Sequence, residues 1–339
     1  MQVTLVFADG QEARIAVDAE TSVLDAAKAS GFALKCDCTL GLCGSCKAIC
    51  RSGTFVLDYS DGLTIMERRR SYVLTCVMHP TSDCRLELPY RLAEITAQLQ
   101  CGVTGTVSRI ERVSTEVCRL VVDAPDAAAL RFEPGQYVSI GVPGTGAARS
   151  YSFANPPGTA QIEFFVRLIP GGVMSEYLRS EVTPGARIEL SAPNGVFRLR
   201  DLRGPVLMIA GGTGLAPMLS MLSCIVREGR PHGPVRLLFG VNRFEDLFCL
   251  ERLKEYRSRM HDFSYEIAIR DHDERWSGNN GYVTELLKAA DLHGGDIDVY
   301  ICGPPAMSED ACARLSRHGV TDERIFVEKF AATGSTRAP

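Results

Sequence analysis

The 339-residue sequence has only six histidines, a single tryptophan and no long hydrophobic run. No two histidines show His-x-x-x-His spacing, which argues against the iron site of an oxygenase. No apolar run approaches the roughly 18 residues that a membrane-spanning helix needs. Signatures of a Ser/His/Asp triad or of paired catalytic carboxylates are also missing. The sequence therefore gives no support to hydrolytic or membrane-embedded functions.

The chain also lacks an excess of positive charge. It carries 37 basic and 41 acidic residues, a net charge of −4, whereas nucleic-acid binders usually show a basic excess. No lysine or arginine precedes Arg14, so the start does not resemble the charged region of a secretory signal. We expect a cytoplasmic protein that does not bind nucleic acid.

Cysteine, in contrast, is abundant and unevenly placed. Six of the 13 cysteines lie between Cys36 and Cys76. An odd count in a long chain without a secretory signal argues against a disulfide framework. The clustering indicates a metal site in a reducing compartment.

Three modules follow from the pattern of apolar runs. Residues 1–93 combine short strands, one helix beginning at Thr21 and a cysteine-rich loop, which predicts a β-grasp fold. Residues 94–102 have no clear period and are predicted to be a linker. Residues 103–203 hold short strands between Pro/Gly turns, which indicates a small antiparallel barrel or sandwich, with six strands expected.

The last module, residues 204–339, alternates short apolar strands with amphipathic helices. This pattern predicts a doubly wound, mostly parallel sheet. The predicted helices are Ala216–Arg227, Leu247–Met260, Tyr282–Ala290 and Ser308–His318. The chain as a whole is therefore predicted to be a multidomain protein that combines α+β and α/β folds.

The spacing of Cys38, Cys43 and Cys46, C-x4-C-x2-C, followed by Cys76, is that of a plant-type [2Fe–2S] cluster. Each iron takes two cysteine sulfurs besides the bridging sulfides, so four thiolates are needed. A zinc site more often has paired C-x2-C units, and the second pair is missing here.

Three other cysteines near this loop are alternative ligands. Cys36 and Cys50 could substitute for a ligand, although Cys36 breaks the spacing. Cys84 competes with Cys76, but Cys76 lies in the predicted apolar strand Tyr72–Cys76, where a fixed ligand is expected, and is the better candidate.

The strand-rich module carries a candidate flavin site. In the string Arg149-Ser150-Tyr151-Ser152 an arginine can bind a pyrophosphate, a tyrosine can lie on the flavin ring, and the Ser152 hydroxyl can bond near N5. Further on, Gly172 leads into a short helix whose N–H groups can bind phosphate oxygens. The remaining candidate flavin-site residues are Arg167, Val173, Met174 and Ser175.

The α/β module carries a candidate nicotinamide site. Gly211, Gly212, Thr213 and Gly214 follow its first strand and open its first helix, where glycines let the backbone approach a pyrophosphate. Cys302, Gly303 and Pro304 end a later strand, where the Cys302 side chain would lie beside the nicotinamide; the alternative is a buried cysteine at a strand end.

Two further features concern the flavin and the donor. Phe330 either stacks on the flavin or is a core aromatic. The loop after Val241 carries Glu245 and Asp246, and these acids favour NADH over NADPH.

With these motifs in this order, the chain resembles the reductase components of bacterial aromatic-ring dioxygenases, of the benzoate 1,2-dioxygenase reductase type. The similar stretches include RSYSF (Arg149–Phe153), MSEYL (Met174–Leu178) and EKF (Glu328–Phe330). The resemblance implies FAD, NADH as donor and a Rieske-type terminal oxygenase as acceptor. Alternatives are the reductase of a di-iron monooxygenase and a non-enzymatic redox sensor.

Overall fold

A computed structural model of the chain describes residues 1–59, 61–96, 102–124, 130–202, 204–229 and 233–330. The chain forms two compact units, one within residues 1–101 and the other within residues 102–330. Nowhere in the described ranges is a helix both long and apolar enough to cross a membrane.

The first unit is a β-grasp fold, as predicted. Its mixed sheet has the order β2-β1-β7-β3-β5, in which β1 and β7 are parallel, and β4 and β6 form a separate pair. Its strands are β1 (Gln2–Val6), β2 (Glu12–Ala16), β3 (Lys47–Ser52), β4 (Phe55–Leu57), β5 (Tyr72–Leu74), β6 (Met78–Pro80) and β7 (Cys84–Glu87). Its helices are α1 (Val23–Ala29), α2 (Ile65–Arg69) and α3 (Leu92–Thr96).

Two details of this unit differ from the predictions. Helix α1 is capped by Ser22 rather than Thr21, because the Ser22 hydroxyl accepts the Asp25 N–H at 3.1 Å. Helix α3 overlaps the start of the predicted linker, and its Glu94 pairs with buried Lys35 at 2.6 Å. This ion pair fastens α3 to the first unit. The other predicted linker residues, apart from residue 102, lie outside the described ranges.

The second unit begins with a six-stranded antiparallel barrel. Its strand order is β11-β10-β13-β8-β9-β12, and β11 also contacts β12. A continuous apolar core that includes Phe153 and Phe164 fills it. The strands are β8 (Val103–Arg112), β9 (Val117–Asp123), β10 (Tyr137–Gly141), β11 (Ala148–Ser152), β12 (Gln161–Arg167) and β13 (Arg187–Leu190), and β12 is followed by the short helix α4 (Val173–Glu176).

The rest of the second unit is the predicted doubly wound sheet. All its strands are parallel, in the order β17-β16-β15-β14-β18-β19. The chain thus builds outward from β14 first to one side and then to the other, which puts a topological switch point between β14 and β18. The strands are β14 (Val206–Gly211), β15 (Val235–Val241), β16 (Phe263–Ile269), β17 (Asn279–Asn280), β18 (Asp298–Gly303) and β19 (Ile325–Lys329).

Three α-helices cover this sheet: α5 (Leu215–Glu228), α6 (Leu250–Arg259) and α7 (Pro305–Arg317). The predicted helix Tyr282–Ala290 is wrong, since the structure has two 3₁₀ segments, Val283–Leu286 and Ala289–Gly295. The buried residues Val283 and Leu286 are three apart, and this spacing matches the three residues per turn of a 3₁₀ helix.

Candidate functional site

The cysteine-rich loop points backbone N–H groups at its thiols. The Cys38 sulfur accepts the N–H groups of Leu40 and Cys43, each at 3.4 Å, and the Cys43 sulfur accepts that of Ser45 at the same distance. Hydrogen bonds of this kind stabilise thiolate ligands of iron–sulfur clusters and help to set their potential. The loop therefore fits a group that binds through thiolate sulfur.

Glycines make this wrapped loop possible. Gly41 and Gly44 have φ angles of +72° and +77°, a region that L side chains rarely adopt. A Cβ atom at Gly44 would also lie 2.9 Å from the Gly62 carbonyl oxygen. A side chain at either glycine would distort the loop and move its N–H groups away from the thiols.

The four predicted ligands form two pairs. The sulfurs of Cys46 and Cys76 lie 3.2 Å apart. Cys38 and Cys43 are joined by the hydrogen bond that the Cys43 N–H donates to the Cys38 sulfur. All four side chains are buried. Two thiol pairs are what a [2Fe–2S] cluster requires, because each iron takes two cysteines.

Cys36 belongs to the same group of thiols. Its sulfur and those of Cys46 and Cys76 all lie within 4.8 Å of one another. Cys50 and Cys84 lie elsewhere in the unit, where their sulfurs bond to the carbonyl oxygens of Ser52 and Ser82, each at 3.3 Å. Of the three alternative ligands, the structure brings only Cys36 to the predicted site.

The candidate flavin residues Arg149 to Ser152 lie on strand β11 at the end of the barrel's strand order. The Arg149 guanidinium donates to the neighbouring Ala148 carbonyl oxygen at 2.8 Å, and the Ser150 hydroxyl lies 3.3 Å from the Ser139 hydroxyl. Burial raises the pKa of Tyr151. The tyrosine is therefore neutral at physiological pH and suited to an apolar ring.

The second segment of the candidate flavin site, residues 172–175, forms the start of α4. Gly172 is its N-cap residue, and Met174 and Ser175 are buried behind it. The Ser175 hydroxyl accepts the Ile169 N–H at 2.8 Å, which holds the preceding turn against the helix. Gly172 gives the first N–H groups of α4 no side-chain cap, so these groups are able to donate hydrogen bonds to phosphate oxygens.

The two segments of the candidate nicotinamide site, residues 211–214 and 302–304, meet at the switch point between β14 and β18. Gly214 packs so closely on the end of β18 that a Cβ atom there would lie 2.1 Å from the Cys302 carbonyl oxygen. A Cβ atom on Gly303 would lie 3.1 Å from the Gly211 nitrogen, and Pro304 caps helix α7. Ligands of such sheets bind in this crevice at the carboxyl ends of the strands.

A residue that the sequence did not single out joins the two sites. The Ser152 hydroxyl of the barrel donates to the Glu328 carboxylate of β19 at 3.3 Å, and the Cys302 sulfur lies 4.0 Å from the same carboxylate oxygen. Complete burial and the nearby Glu328 charge raise the pKa of Cys302 well above its usual value, so the thiol stays neutral. A hydroxyl, a neutral thiol and a carboxylate therefore converge between barrel and sheet.

Phe330 and Arg167 have partners within the protein. Phe330 donates its N–H to the Gly303 carbonyl oxygen at 3.0 Å and packs against the apolar core of the sheet. Arg167 pairs with Glu116 at 2.9 Å, and Glu116 also pairs with Arg243 in the loop after β15. Arg167 thus contacts a network that reaches the α/β module.

The acids thought to favour NADH are both paired. Glu245 bonds to Arg275, and Asp246 pairs with Arg243 at 3.3 Å. Arg275 lowers the pKa of Glu245, so this carboxylate is ionised at neutral pH. The loop therefore presents acids and arginines side by side rather than acids alone.

Models of three protein families match successive parts of the chain. The 2Fe-2S iron-sulfur cluster binding domain matches residues 6–81, the oxidoreductase FAD-binding domain residues 104–199, and the oxidoreductase NAD-binding domain residues 208–313. The order of the matches agrees with the three predicted modules.

Curated relatives match the chain over nearly its full length. The toluate 1,2-dioxygenase electron transfer component of Pseudomonas putida is 35% identical, over 98% of this chain and 99% of its own. The 2-halobenzoate 1,2-dioxygenase electron transfer component of Burkholderia cepacia is 37% identical, over 98% of each chain. Methane monooxygenase component C of Methylosinus trichosporium is 35% identical, over 89% of this chain and 91% of its own.

A solved structure shares the whole architecture. The cytochrome P450 reductase GcoB of Amycolatopsis is 28% identical and superposes with a TM-score of 0.70, covering 98% of this chain and all of its own. The family models identify an oxidoreductase with iron–sulfur, FAD-binding and NAD-binding modules, and the toluate and halobenzoate relatives are named as electron transfer components. The chain belongs to the family of oxygenase electron transfer components typified by those of the toluate, halobenzoate and anthranilate dioxygenases.

Proposed function

We propose that this protein takes electrons from NADH and delivers them, through FAD and a [2Fe–2S] cluster, to the Rieske-type terminal oxygenase of an aromatic-ring dioxygenase. The observation that carries the proposal is the convergence of Ser152, Cys302 and Glu328 at the switch point. Hydride transfer requires the flavin and nicotinamide rings to meet in one space, and these residues come from the two modules that would bind them.

The barrel residues hold and orient the flavin in this proposal. Arg149 and the first N–H groups of α4 bind the pyrophosphate, and Tyr151 lies on the ring. Ser152 directs its hydroxyl to the ring edge near N5, with Glu328 behind it as acceptor. When bound, FAD accepts a hydride and passes on single electrons, which links a two-electron donor to a one-electron cluster.

The α/β residues place the donor. Gly211 to Gly214 let the backbone approach the dinucleotide pyrophosphate. A side chain at Gly214 would collide with the end of β18. The neutral Cys302 thiol packs beside the nicotinamide, and Pro304 shapes the wall of the crevice. Phe330 covers the flavin face until the nicotinamide reaches it.

The cysteine loop holds the cluster. Cys38 and Cys43 bind one iron, and Cys46 and Cys76 bind the other. The loop N–H groups stabilise the negative charge on the Cys38 and Cys43 sulfurs. We also propose a cytoplasmic location, because these thiols must stay reduced until the cluster is assembled.

An absorbance spectrum together with two acceptor assays tests this function. The purified protein should show both flavin and [2Fe–2S] bands and should reduce ferricyanide and cytochrome c with NADH. In Cys43→Ala we expect the cluster bands and cytochrome c reduction to be lost while FAD stays bound. A redox sensor would instead show the bands without NADH-dependent turnover, and that result would refute the proposal.

The partner needs a separate experiment. We expect product from a purified benzoate-type Rieske oxygenase when this protein and NADH are its only source of electrons. The similarity to methane monooxygenase component C makes the hydroxylase of a di-iron monooxygenase the second candidate. Faster turnover with the di-iron hydroxylase than with the Rieske oxygenase would assign the protein to that class.

The charge of the first module bears on how electrons reach the cluster. Residues 1–93 carry 10 basic and 11 acidic side chains, a net charge of −1. A tethered module has a high effective concentration and does not depend on charge to find its donor. We therefore expect stopped-flow cluster reduction to be nearly independent of salt and of dilution. Steep slowing with either would contradict intramolecular transfer.

A further inference from the structure

A third thiol stands beside one of the two ligand pairs. The sulfurs of Cys36, Cys46 and Cys76 lie within 4.8 Å of one another, and Cys46 and Cys76 are 3.2 Å apart. Cys36 packs against the same small core as these two ligands. An iron atom bound by Cys46 and Cys76 would therefore have one more thiol within a short side-chain movement.

The fold holds Cys36 in this place through its neighbour. Lys35 is buried, pairs with Glu94 at 2.6 Å and lies over the Tyr90 ring at 5.1 Å. The Lys35 N–H also bonds to the Tyr90 hydroxyl at 3.3 Å. These contacts fix the backbone next to Cys36, so the closeness of the three sulfurs does not depend on a free loop.

The number of ligands limits what Cys36 can do. Each iron of a [2Fe–2S] cluster binds two cysteine sulfurs besides the bridging sulfides, so only two of the three thiols can bind at once. We propose that Cys36 is a reserve ligand that binds this iron when Cys46 or Cys76 is released. This inference rests on the proposed cluster site and adds a residue outside the C-x4-C-x2-C spacing.

The exchange keeps atoms and electrons in balance. The bond between iron and the Cys76 sulfur breaks, and a bond between iron and the Cys36 sulfur forms. The proton that Cys36 loses passes to the departing Cys76 thiolate. No electron is transferred, so the exchange requires no oxidant or reductant.

The other iron lacks this reserve. In the described part of the chain, the group of Cys36, Cys46 and Cys76 is the only set of three ligating side chains this close together. Cys38 and Cys43 are instead surrounded by the N–H groups of Leu40, Cys43 and Ser45. Replacement of a ligand should therefore be tolerated at one pair and not at the other.

Alanine variants of the full-length protein test the proposal, since alanine offers no replacement ligand atom. Iron, acid-labile sulfide and the EPR spectrum of the reduced protein are measured relative to bound FAD. We expect Cys76→Ala to keep about half or more of the wild-type iron and sulfide, with an all-thiolate spectrum. In the double variant Cys36→Ala/Cys76→Ala, the iron and sulfide contents should fall about tenfold or more.

Matched variants show whether the effect is specific. Cys46→Ala should behave like Cys76→Ala, because Cys36 lies near both. Cys43→Ala should lose the cluster although Cys36 is present, and Cys50→Ala, a buried cysteine in the same unit, should keep it. Variants that bind no cluster on purification are reconstituted with iron and sulfide before they are scored.

Two results would overturn the proposal. One is that Cys46→Ala and Cys76→Ala hold no more cluster, after reconstitution, than the double variant. The other is that Cys36→Ala alone loses the cluster, since Cys36 would then be a permanent ligand. Failure of the proposed function looks different, because the wild-type protein itself would then lack either [2Fe–2S] absorbance or NADH-dependent reduction of cytochrome c.

Discussion

The Ser152 hydroxyl of the barrel donates a 3.3 Å hydrogen bond to the Glu328 carboxylate on the last strand of the parallel sheet. The two residues are 176 positions apart in the chain. Because Cys302 lies 4.0 Å from the same carboxylate, one acceptor organises groups from both modules. Glu328 is therefore a shared partner of two groups at the proposed hydride-transfer site.

The first prediction concerns this pair. We expect Ser152→Ala and Glu328→Gln each to slow reduction of bound FAD by NADH about 10- to 100-fold, because a hydrogen bond to a charged group is worth about 1.5–3 kcal/mol. Stopped-flow absorbance at the flavin band measures the rate. Ser258→Ala, which removes a hydroxyl that donates to the Glu255 carbonyl oxygen of its own helix at 2.7 Å, is the control and should leave the rate unchanged. Equal rates in all variants would show that Ser152 and Glu328 take no part in the reduction of FAD by NADH.

The second prediction concerns the contact between Gly214 and β18. A methyl group at Gly214 would lie 2.1 Å from the Cys302 carbonyl oxygen, so the loop must move away from the strand. We expect Gly214→Ala to lower stability by about 1–3 kcal/mol and to raise the KM for NADH in ferricyanide reduction. Thermal unfolding and steady-state kinetics provide the two measurements.

Gly229 is a suitable comparison for Gly214. It ends helix α5 in the same module with φ of +57°, and a Cβ atom there would meet nothing within 4 Å. Gly229→Ala should cost about 1 kcal/mol through backbone strain and leave the KM for NADH unchanged. A KM that rises equally in both variants would show that general destabilisation, not the Gly214 contact, controls binding.

Much of the second unit could be predicted from the sequence, because local patterns determine it. Buried strands such as Val206–Gly211 appear as short apolar runs, and the glycines that follow mark the turn into α5. The alternation of such runs with helices leaves few possible topologies. The strands and the switch point were therefore within reach of sequence reasoning.

The relationships that depend on distant residues could not be predicted in this way. Nothing next to Glu328 in the sequence indicates that its carboxylate meets Ser152 across the module boundary. The sequence did name Cys36 as an alternative ligand, together with Cys50 and Cys84, but only the folded chain shows which of the three has its sulfur near Cys46 and Cys76. Spacing rules describe ligands along the chain, whereas a reserve ligand is defined by distance in space.

The third prediction concerns an ion pair between the buried Glu163 of the barrel and the half-buried Arg252 of the α/β module. Arg252 of α6 donates to Glu163 of β12 at 2.7 Å and to the Ala154 carbonyl oxygen at 2.8 Å. Arg252→Met would leave Glu163, which is 7% exposed, with Arg119 as its remaining cation. We expect the free energy of unfolding to fall by about 2–4 kcal/mol in chemical denaturation.

An exposed pair on the same helix provides the control for Arg252. Arg259 pairs with Glu255 at 3.2 Å, and both side chains are more than half exposed. Arg259→Met should change stability by about 0.5 kcal/mol or less, since surface pairs contribute little. Similar losses in both variants would mean that burial of the Arg252 pair adds nothing.

The last prediction concerns the choice between NADH and NADPH. The loop after β15 lies where doubly wound folds recognise the ribose of the dinucleotide, and an arginine there can bind a 2′-phosphate. Arg275 is bonded to Glu245, whose carboxylate is ionised because that arginine lowers its pKa. Glu245→Gln removes a charge that repels phosphate and leaves more of the Arg275 charge available to it. We expect kcat/KM for NADPH to rise about 3- to 10-fold with little change for NADH.

Glu251→Gln is the matched control, because Glu251 is an exposed acid of the same module that pairs with Lys254 at 2.6 Å on helix α6. It removes the same charge from the protein without altering the loop. Since long-range effects of net charge would act in both variants, a gain for NADPH in Glu245→Gln alone assigns the discrimination to this loop. If NADPH use rises equally in both, the preference arises from the overall field of the module. If it rises in neither, Asp273, the second carboxylate bonded to Arg275, keeps the arginine occupied.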